Sequence, residues 1–287
     1  MQSWFVGTVV GLTLLLSAFA ESCRAQVFYE IVSPDGSRDW LLGTVHAEDA
    51  RLLDFPPVLL QALRQVDTVA MELAPDRTML EDLQREMRLP DGQRLSDCLP
   101  KPLYQSALSA LLEEGVPEQR AAQLRPWAAA MVLAQPPEAT GGFMDLALAR
   151  LAGHQGIRIE ALETIDEQVE FFRGLTLALQ QELLQAALDR LGRRDRDLDD
   201  IVSVYLEGDL PALDDLAEQH LSGASKELRN RFQRYALDLR NQRMAERALP
   251  LLAGDSVLIA VGALHLAGPG GLPARLRAQG MDVIGIY

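Results

Sequence analysis

Lysine is almost missing from this chain. Lys101 and Lys226 are the only two in 287 residues, and Lys and Arg together number 27 against 41 Asp and Glu. The net charge of −14 excludes a surface built for nucleic acid or an anionic membrane, because phosphate binding relies on Lys and Arg neutralising the backbone. That arginine supplies the rest of the positive charge is a composition bias without mechanistic content. Cysteine is equally scarce: Cys23 and Cys98 exclude a disulfide framework and any Cys-based metal spacing, so a metal here has to be held by His and carboxylates. Neither G-x-S-x-G nor H-E-x-x-H occurs, and there is no P-loop lysine.

The remaining composition, 48% apolar and 24% charged, is that of an ordinary globular chain. Its length allows one substantial core, in a single large domain or a domain with a helical insertion. Residues 5 to 20, FVGTVVGLTLLLSAFA, form an uncharged apolar stretch that is short for a membrane span and ends in the small-x-small triplet Ala18-Phe19-Ala20. This predicts a signal peptide over 1–20 and an exported protein, periplasmic or extracellular, with no stable membrane span after processing. Lipidation at Cys23 is the alternative, although Ala20, Glu21 and Ser22 fit a lipobox poorly.

Taken in order, VFYEIVS and DWLLGTVH around Pro34-Asp35-Gly36 predict a β-hairpin. Pro56 and Pro57 open a short helix to about Gln65, and TVAMEL is the next strand. Residues 76–155 read as mostly helical. Asp76 caps a helix to about Arg88, Pro102 starts one that Gly115 stops, Pro117 to Leu133 breaks at Pro126, and Gly141-Gly142 opens a helix ending at Gly153 or Gly156. IRIEALE, 157–163, is a strand, and a Thr164/Glu167 capping box then starts a long helix toward Leu191. Breaks at Gly208, Pro211 and Gly223 precede an amphipathic helix from about Ser225 to Leu251. Strand 256–261, a flexible loop Gly268–Gly271, a short helix capped by Gly280 and the strand DVIGIY close the chain. The pattern predicts an α/β fold: a mixed, mostly parallel central sheet, with helical segments 76–155 and 164–252 inserted in a 26–287 domain.

Two apolar runs deliver the same spelling. WLLGTVH ends in Gly43-Thr44-Val45-His46, and VLIAVGALH ends in Gly262-Ala263-Leu264-His265, so G-x-x-H occurs twice where a strand should stop. TVAMEL ends on Glu72 and IRIEALE on Glu163. Open α/β sheets place ligands outside the carboxyl ends of their strands, so these side chains can meet if the strands are parallel neighbours. His46, His265 and Glu72 with open positions suit Zn2+, or a facial site for Mn2+, Fe2+ or Co2+. Glu72 serves there as ligand or as general base. Glu163 is a secondary catalytic candidate, since a carboxylate before a helix is favourable without chemistry. Arg240 stabilises an oxyanion or binds a substrate carboxylate on one reading, and is a plain helix-surface arginine on the other. His154 and His220, at polar helix ends, read as surface residues.

With those residues in view, the chain resembles the TraB/GumN/Tiki family, related in fold to the erythromycin-esterase and ChaN-like proteins. The resemblance rests on Gly43 to His46, Ala70 to Leu73 around Glu72, the tract from Gly142 and Asp145 to Leu162-Glu163-Thr164 and Glu167-Gln168, Arg240-Asn241 with Met244-Ala245, and Val261 to His265 followed by Gly268 and Gly271. Leu239 stands where the family often has an acidic residue. The resemblance implies a metal-dependent hydrolase, Tiki-type members acting as metalloproteases. Two functions follow. One is a hydrolase of a peptide or small amide substrate, with a divalent ion polarising the carbonyl and activating water. The other is a non-catalytic exported protein that uses the same histidines for a metal ion or haem, as ChaN-like relatives suggest.

Overall fold

The computed structural model describes residues 26–75, 77–135 and 142–287. The predicted signal peptide, Cys23, the Asp76 cap and Gly141 lie outside them. Six strands form one sheet: β1 (Phe28–Val32), β2 (Arg38–Thr44), β3 (Thr68–Met71), β4 (Arg158–Ala161), β5 (Val257–Gly262) and β6 (Asp282–Gly285), in the order β4-β3-β5-β2-β1-β6. The pairs β4-β3, β3-β5 and β5-β2 are parallel, while β1 is antiparallel to both of its neighbours. This is the mixed, mostly parallel α/β sheet that the pattern of runs predicts.

β5 slots between β2 and β3, which are consecutive in sequence. Val257 to Val261 are buried without interruption, as a strand covered on both faces must be. The insertion sets the ends of β4, β3, β5 and β2 side by side along one edge, so Glu163, Glu72, His265 and His46 follow one another along it in that order.

The helices differ from expectation in two places. The segment after the Thr164/Glu167 capping box is not one long helix but three pieces, Ile165–Gln168, Glu170–Arg173 and Leu177–Arg190. Gly174 ends the second piece, and Thr176 caps the third by accepting the Leu179 amide at 3.3 Å. In the second piece Phe172, partly buried, stacks on Trp127 at 4.7 Å in the helical layer, while Phe171 is buried in the cluster around Leu175 and Leu228. In the second place, the helical run after Ser225 contains a π-helical stretch, Phe232–Asp238, between Lys226–Arg231 and Leu239–Leu252. Wide turns of this kind concentrate at functional sites, and this one ends two residues before Arg240.

Smaller corrections concern strand ends and one histidine. β3 stops at Met71 and β4 at Ala161, so Glu72 and Glu163 lie just past their strands. His220 is half-buried beside Asp197 rather than on the surface, whereas His154 is exposed. None of the described helices is long and apolar enough to cross a membrane.

Candidate functional site at the carboxyl edge of the sheet

Strand pairing continues for one residue beyond β3 and β4. The Glu163 amide donates to the Glu72 carbonyl at 2.9 Å, which sets two buried acidic residues side by side. Arg240 compensates for both. Its Nη2 lies 2.6 Å from Glu72 Oε2 and 2.6 Å from Glu163 Oε2, and its Nε donates to Glu163 Oε2 at 2.9 Å. Nη1 makes no hydrogen bond to a described residue. Two carboxylates against one guanidinium leave the cluster with an excess negative charge, and a cation relieves such an excess.

Glu72 is further held by its neighbours. Oε1 accepts the Gly262 amide at 2.6 Å, and Oε2 also accepts Gln168 Nε2 at 3.1 Å. Burial alone would raise its carboxyl, but the charges of His265, Arg240 and His46 and the Gly262 amide outweigh it and hold Glu72 well below the usual range. Burial lowers His265 to about 4 despite Glu72 beside it. His265 is therefore neutral at pH 7, and there Arg240 carries the larger share in keeping Glu72 ionised. Burial raises Glu163, with Arg240 opposing.

His265 shows which of its nitrogens is available. Asn241 Nδ2 donates to the Gly270 carbonyl at 3.0 Å, so its Oδ1, 2.6 Å from His265 Nδ1, must accept. The proton then sits on Nδ1, and the lone pair of Nε2 faces Glu72 Oε1 at 3.6 Å. Two acceptors thus confront each other in a site where Glu72 is 6% and His265 4% exposed. The opposite amide orientation would set oxygen against the Gly270 oxygen. This donor set fits a divalent cation: an imidazole Nε2, a carboxylate oxygen with a lone pair to spare, and acceptors on Nδ1 of the kind that orient metal-bound histidines.

His46 is the exposed one of the two histidines, its side chain 56% exposed, with Nδ1 3.0 Å from Asp145 Oδ2. Crowding by protein opposes its charge, but Asp145 overrides this and lifts the ring to about 9. Asp145 Oδ1 accepts the Thr44 hydroxyl at 2.7 Å. The charge of His46 acts on Glu72, Arg240 and His265 alike, which places it beside the cluster. No three His, Cys, Asp or Glu among the described residues are grouped closely enough to enclose an ion as they stand.

The structure thus brings Glu72, Glu163, Arg240 and His265 into direct contact or near-contact, with His46 adjoining. Glu163 is enclosed, its side chain 0% exposed against Arg240, so it backs the arginine. The Gly268–Gly271 loop is pinned rather than flexible. Gly270 O accepts from both Asn241 and Arg275, and a Cβ on Gly271 would fall on the Leu266 and Ala267 carbonyl oxygens. The positioning contacts of Asp145, Asn241, Gln168 and Thr44 were not read from the sequence. All four stand among the residues that carry the family resemblance, but nothing in the sequence pairs them with the histidines and carboxylates they hold.

Fold and site define a mixed α/β protein with a histidine and carboxylate cluster at the carboxyl edge of its sheet. The chain belongs to the TraB/PrgY/gumN family, whose model matches residues 28–284. It is 28% identical to Metalloprotease TIKI2 of Xenopus tropicalis across 85% of this chain and 57% of that protein. It is also 28% identical to Metalloprotease TIKI1 of Danio rerio across 85% of this chain and 60% of that protein. The chain spans about three-fifths of the length of these curated relatives. No solved structure matches it.

Proposed function

We propose that the protein is a metal-dependent hydrolase of peptide or small amide bonds, with His46, His265 and Glu72 holding one divalent ion, of Zn2+, Mn2+, Co2+ or Fe2+ type. The observation that carries this reading is the confrontation of His265 Nε2 with Glu72 Oε1 at 3.6 Å, two buried acceptors with no proton to share at neutral pH. Relatives that bear the name metalloprotease support it. When bound, the ion supplies Lewis acidity at the substrate carbonyl and lowers the pKa of a water.

The rest falls to the chain's own side chains. Glu72 Oε2 already accepts from Arg240 and Gln168, and Oε1 from Gly262, so one lone pair remains and Glu72 serves as ligand rather than as base. Arg240 turns its remaining Nη1 to the carbonyl oxygen as negative charge develops, a contact that strengthens in the transition state. Glu163 aims Arg240. Export belongs to the same reading, the substrate being met outside the cytoplasm.

Equilibrium dialysis against each metal, then digestion of a peptide library by the loaded protein, tests the proposal. Uptake of a single ion per chain with cleavage that chelation abolishes is the expected result. Unchanged metal content and unchanged activity in the His46→Ala, His265→Ala double variant would refute the site. A Soret band in the purified protein would favour haem binding without catalysis.

A further inference from the structure

Asp145 comes to the site from far away, at the start of the Met144–His154 helix, 101 positions beyond Thr44 in the chain. Its two oxygens have different partners. Oδ1 accepts the hydroxyl of Thr44, a residue inside the first G-x-x-H and 1% exposed. Oδ2 is buried and lies at ion-pair distance from His46, 3.0 Å from Nδ1, with no hydrogen bond of its own to any described residue. The Thr44 contact fixes the rotation of the carboxylate. Tyr205 steadies the same strand end by donating to the Gly43 carbonyl at 2.8 Å while touching Met144 Sδ, the residue before Asp145. Strand end, carboxylate and helix start therefore form one braced unit.

We infer that Asp145 is the positioning residue that commits His46 to bind the ion through Nε2. This rests on the metal site proposed above. An ionised carboxylate can only accept, so it keeps a proton on Nδ1, and the proton that the charged ring would give up to the ion is the one on Nε2. On this assignment the two histidines are matched. Asn241, a neutral acceptor from the second helical segment, imposes on His265 what Asp145, a charged acceptor from the first, imposes on His46. Each helical segment then delivers one acceptor to one G-x-x-H, and the ion joins the two.

Asp145→Asn separates this role from bracing. The amide oxygen still accepts from Thr44, so the brace survives, while its NH2 now donates toward His46 Nδ1. The ring must then carry its proton on Nε2, the position needed for the metal. A carboxylate that only braces the helix predicts that Asp145→Asn binds metal like the wild type. A carboxylate that selects the tautomer predicts a fall in Co2+ affinity on the order of 10- to 100-fold, close to that of Asp145→Ala.

The test is a competitive Co2+ titration of the full chain, wild type against Asp145→Asn, Asp145→Ala and Thr44→Val. It is paired with histidine nitrogen NMR of the Zn2+-loaded wild type. Expected are weak Co2+ binding by both Asp145 variants, a smaller loss in Thr44→Val, and His46 bound through Nε2 with its proton on Nδ1. Wild-type affinity in Asp145→Asn, or His46 bound through Nδ1, overturns the inference while the metal site stands. The NMR arm decides even where a variant does not fold. A wild type that takes up neither ion brings down both the inference and the function on which it rests.

Discussion

Arg240 and Glu72 stand 168 positions apart in the chain, and Arg240 Nη2 lies 2.6 Å from Glu72 Oε2. The same nitrogen reaches Glu163 Oε2 at 2.6 Å. Backbone pairing past β3 and β4 forces the two carboxylates together, so the guanidinium is what allows the sheet to end as it does. Side-chain exposures of 11% for Arg240, 7% for Glu72 and 0% for Glu163 put the trio in a region where an unpaired charge is costly.

Arg240→Met should therefore destabilise the fold by about 3–5 kcal/mol, the usual cost of breaking a buried ion pair from one side. Adding Glu163→Gln to that variant should recover part of the loss, since it removes one of the stranded charges. Denaturant unfolding of the two variants checks both statements. A single variant as stable as wild type would mean that solvent already reaches the trio.

Glu72→Gln should lose bound metal rather than keep it in an inactive site. The remaining lone pair of Oε1 faces His265 Nε2, and replacing the carboxylate removes the charge that draws a cation there. Metal analysis after dialysis reads the outcome. Full occupancy together with abolished turnover would instead make Glu72 the proton acceptor.

Much of this site was legible because strand ends are. Buried runs such as Val257 to Val261 have one reading in a sheet covered on both faces, and whatever follows them lands on the carboxyl edge. His46, Glu72, His265 and Glu163 are read as candidates that way, from strand-end position together with the repeated G-x-x-H. Arg240 sits mid-helix, and there the sequence left its burial open. Asp145 and Asn241 were visible as letters but not as partners, because a contact across 101 positions in the case of Thr44 and Asp145 leaves no periodic trace. The break at Gly174 is hidden for a different reason: the helical pattern runs through it, and the Thr176 cap that restarts the helix is a single residue inside that pattern. The π-helical stretch at Phe232–Asp238 likewise has no spacing of its own, since it depends on what the helix must present afterwards.

Asp39 gives the fold a pH dependence at the opposite edge of the sheet. It is 1% exposed, its Oδ1 accepts the Val257 amide at 2.8 Å, and its Oδ2 has no partner among the described residues. Burial raises its carboxyl from 3.8 to about 6, against the Val257 hydrogen bond. A raised carboxyl stabilises the fold fully below the unfolded value and loses that contribution as pH rises through the folded one. Between pH 4 and pH 7 wild type should therefore lose stability relative to Asp39→Asn, by at most about 3 kcal/mol. Melting temperatures of the pair across that range measure it, and parallel curves would show that Asp39 is solvated.

The two glycines of the repeated G-x-x-H do different work, and that difference is testable. A Cβ on Gly43 would lie 2.7 Å from Leu266 Cδ1 and 3.1 Å from the Ala263 Cα, so this glycine lets the end of β2 pack against the second motif. A Cβ on Gly262 would instead lie 3.1 Å from Glu72 Oε1 and 3.6 Å from His265 Cδ2. The second glycine thus leaves room for the carboxylate to reach its amide. In Gly43→Ala the opposing atoms include backbone, which yields poorly, and overpacking of that kind costs about 1–3 kcal/mol. In Gly262→Ala the opposing atom belongs to Glu72, whose side chain can retreat by a few tenths of an ångström, away from the Gly262 amide and from its place opposite His265. Gly43→Ala should accordingly lower the melting temperature more, and Gly262→Ala should weaken Zn2+ binding more relative to its loss of stability. Thermal melts beside Zn2+ competition titrations of the two variants give both quantities. The reverse pattern would show that Gly262 braces the strand end and that Glu72 does not depend on its amide.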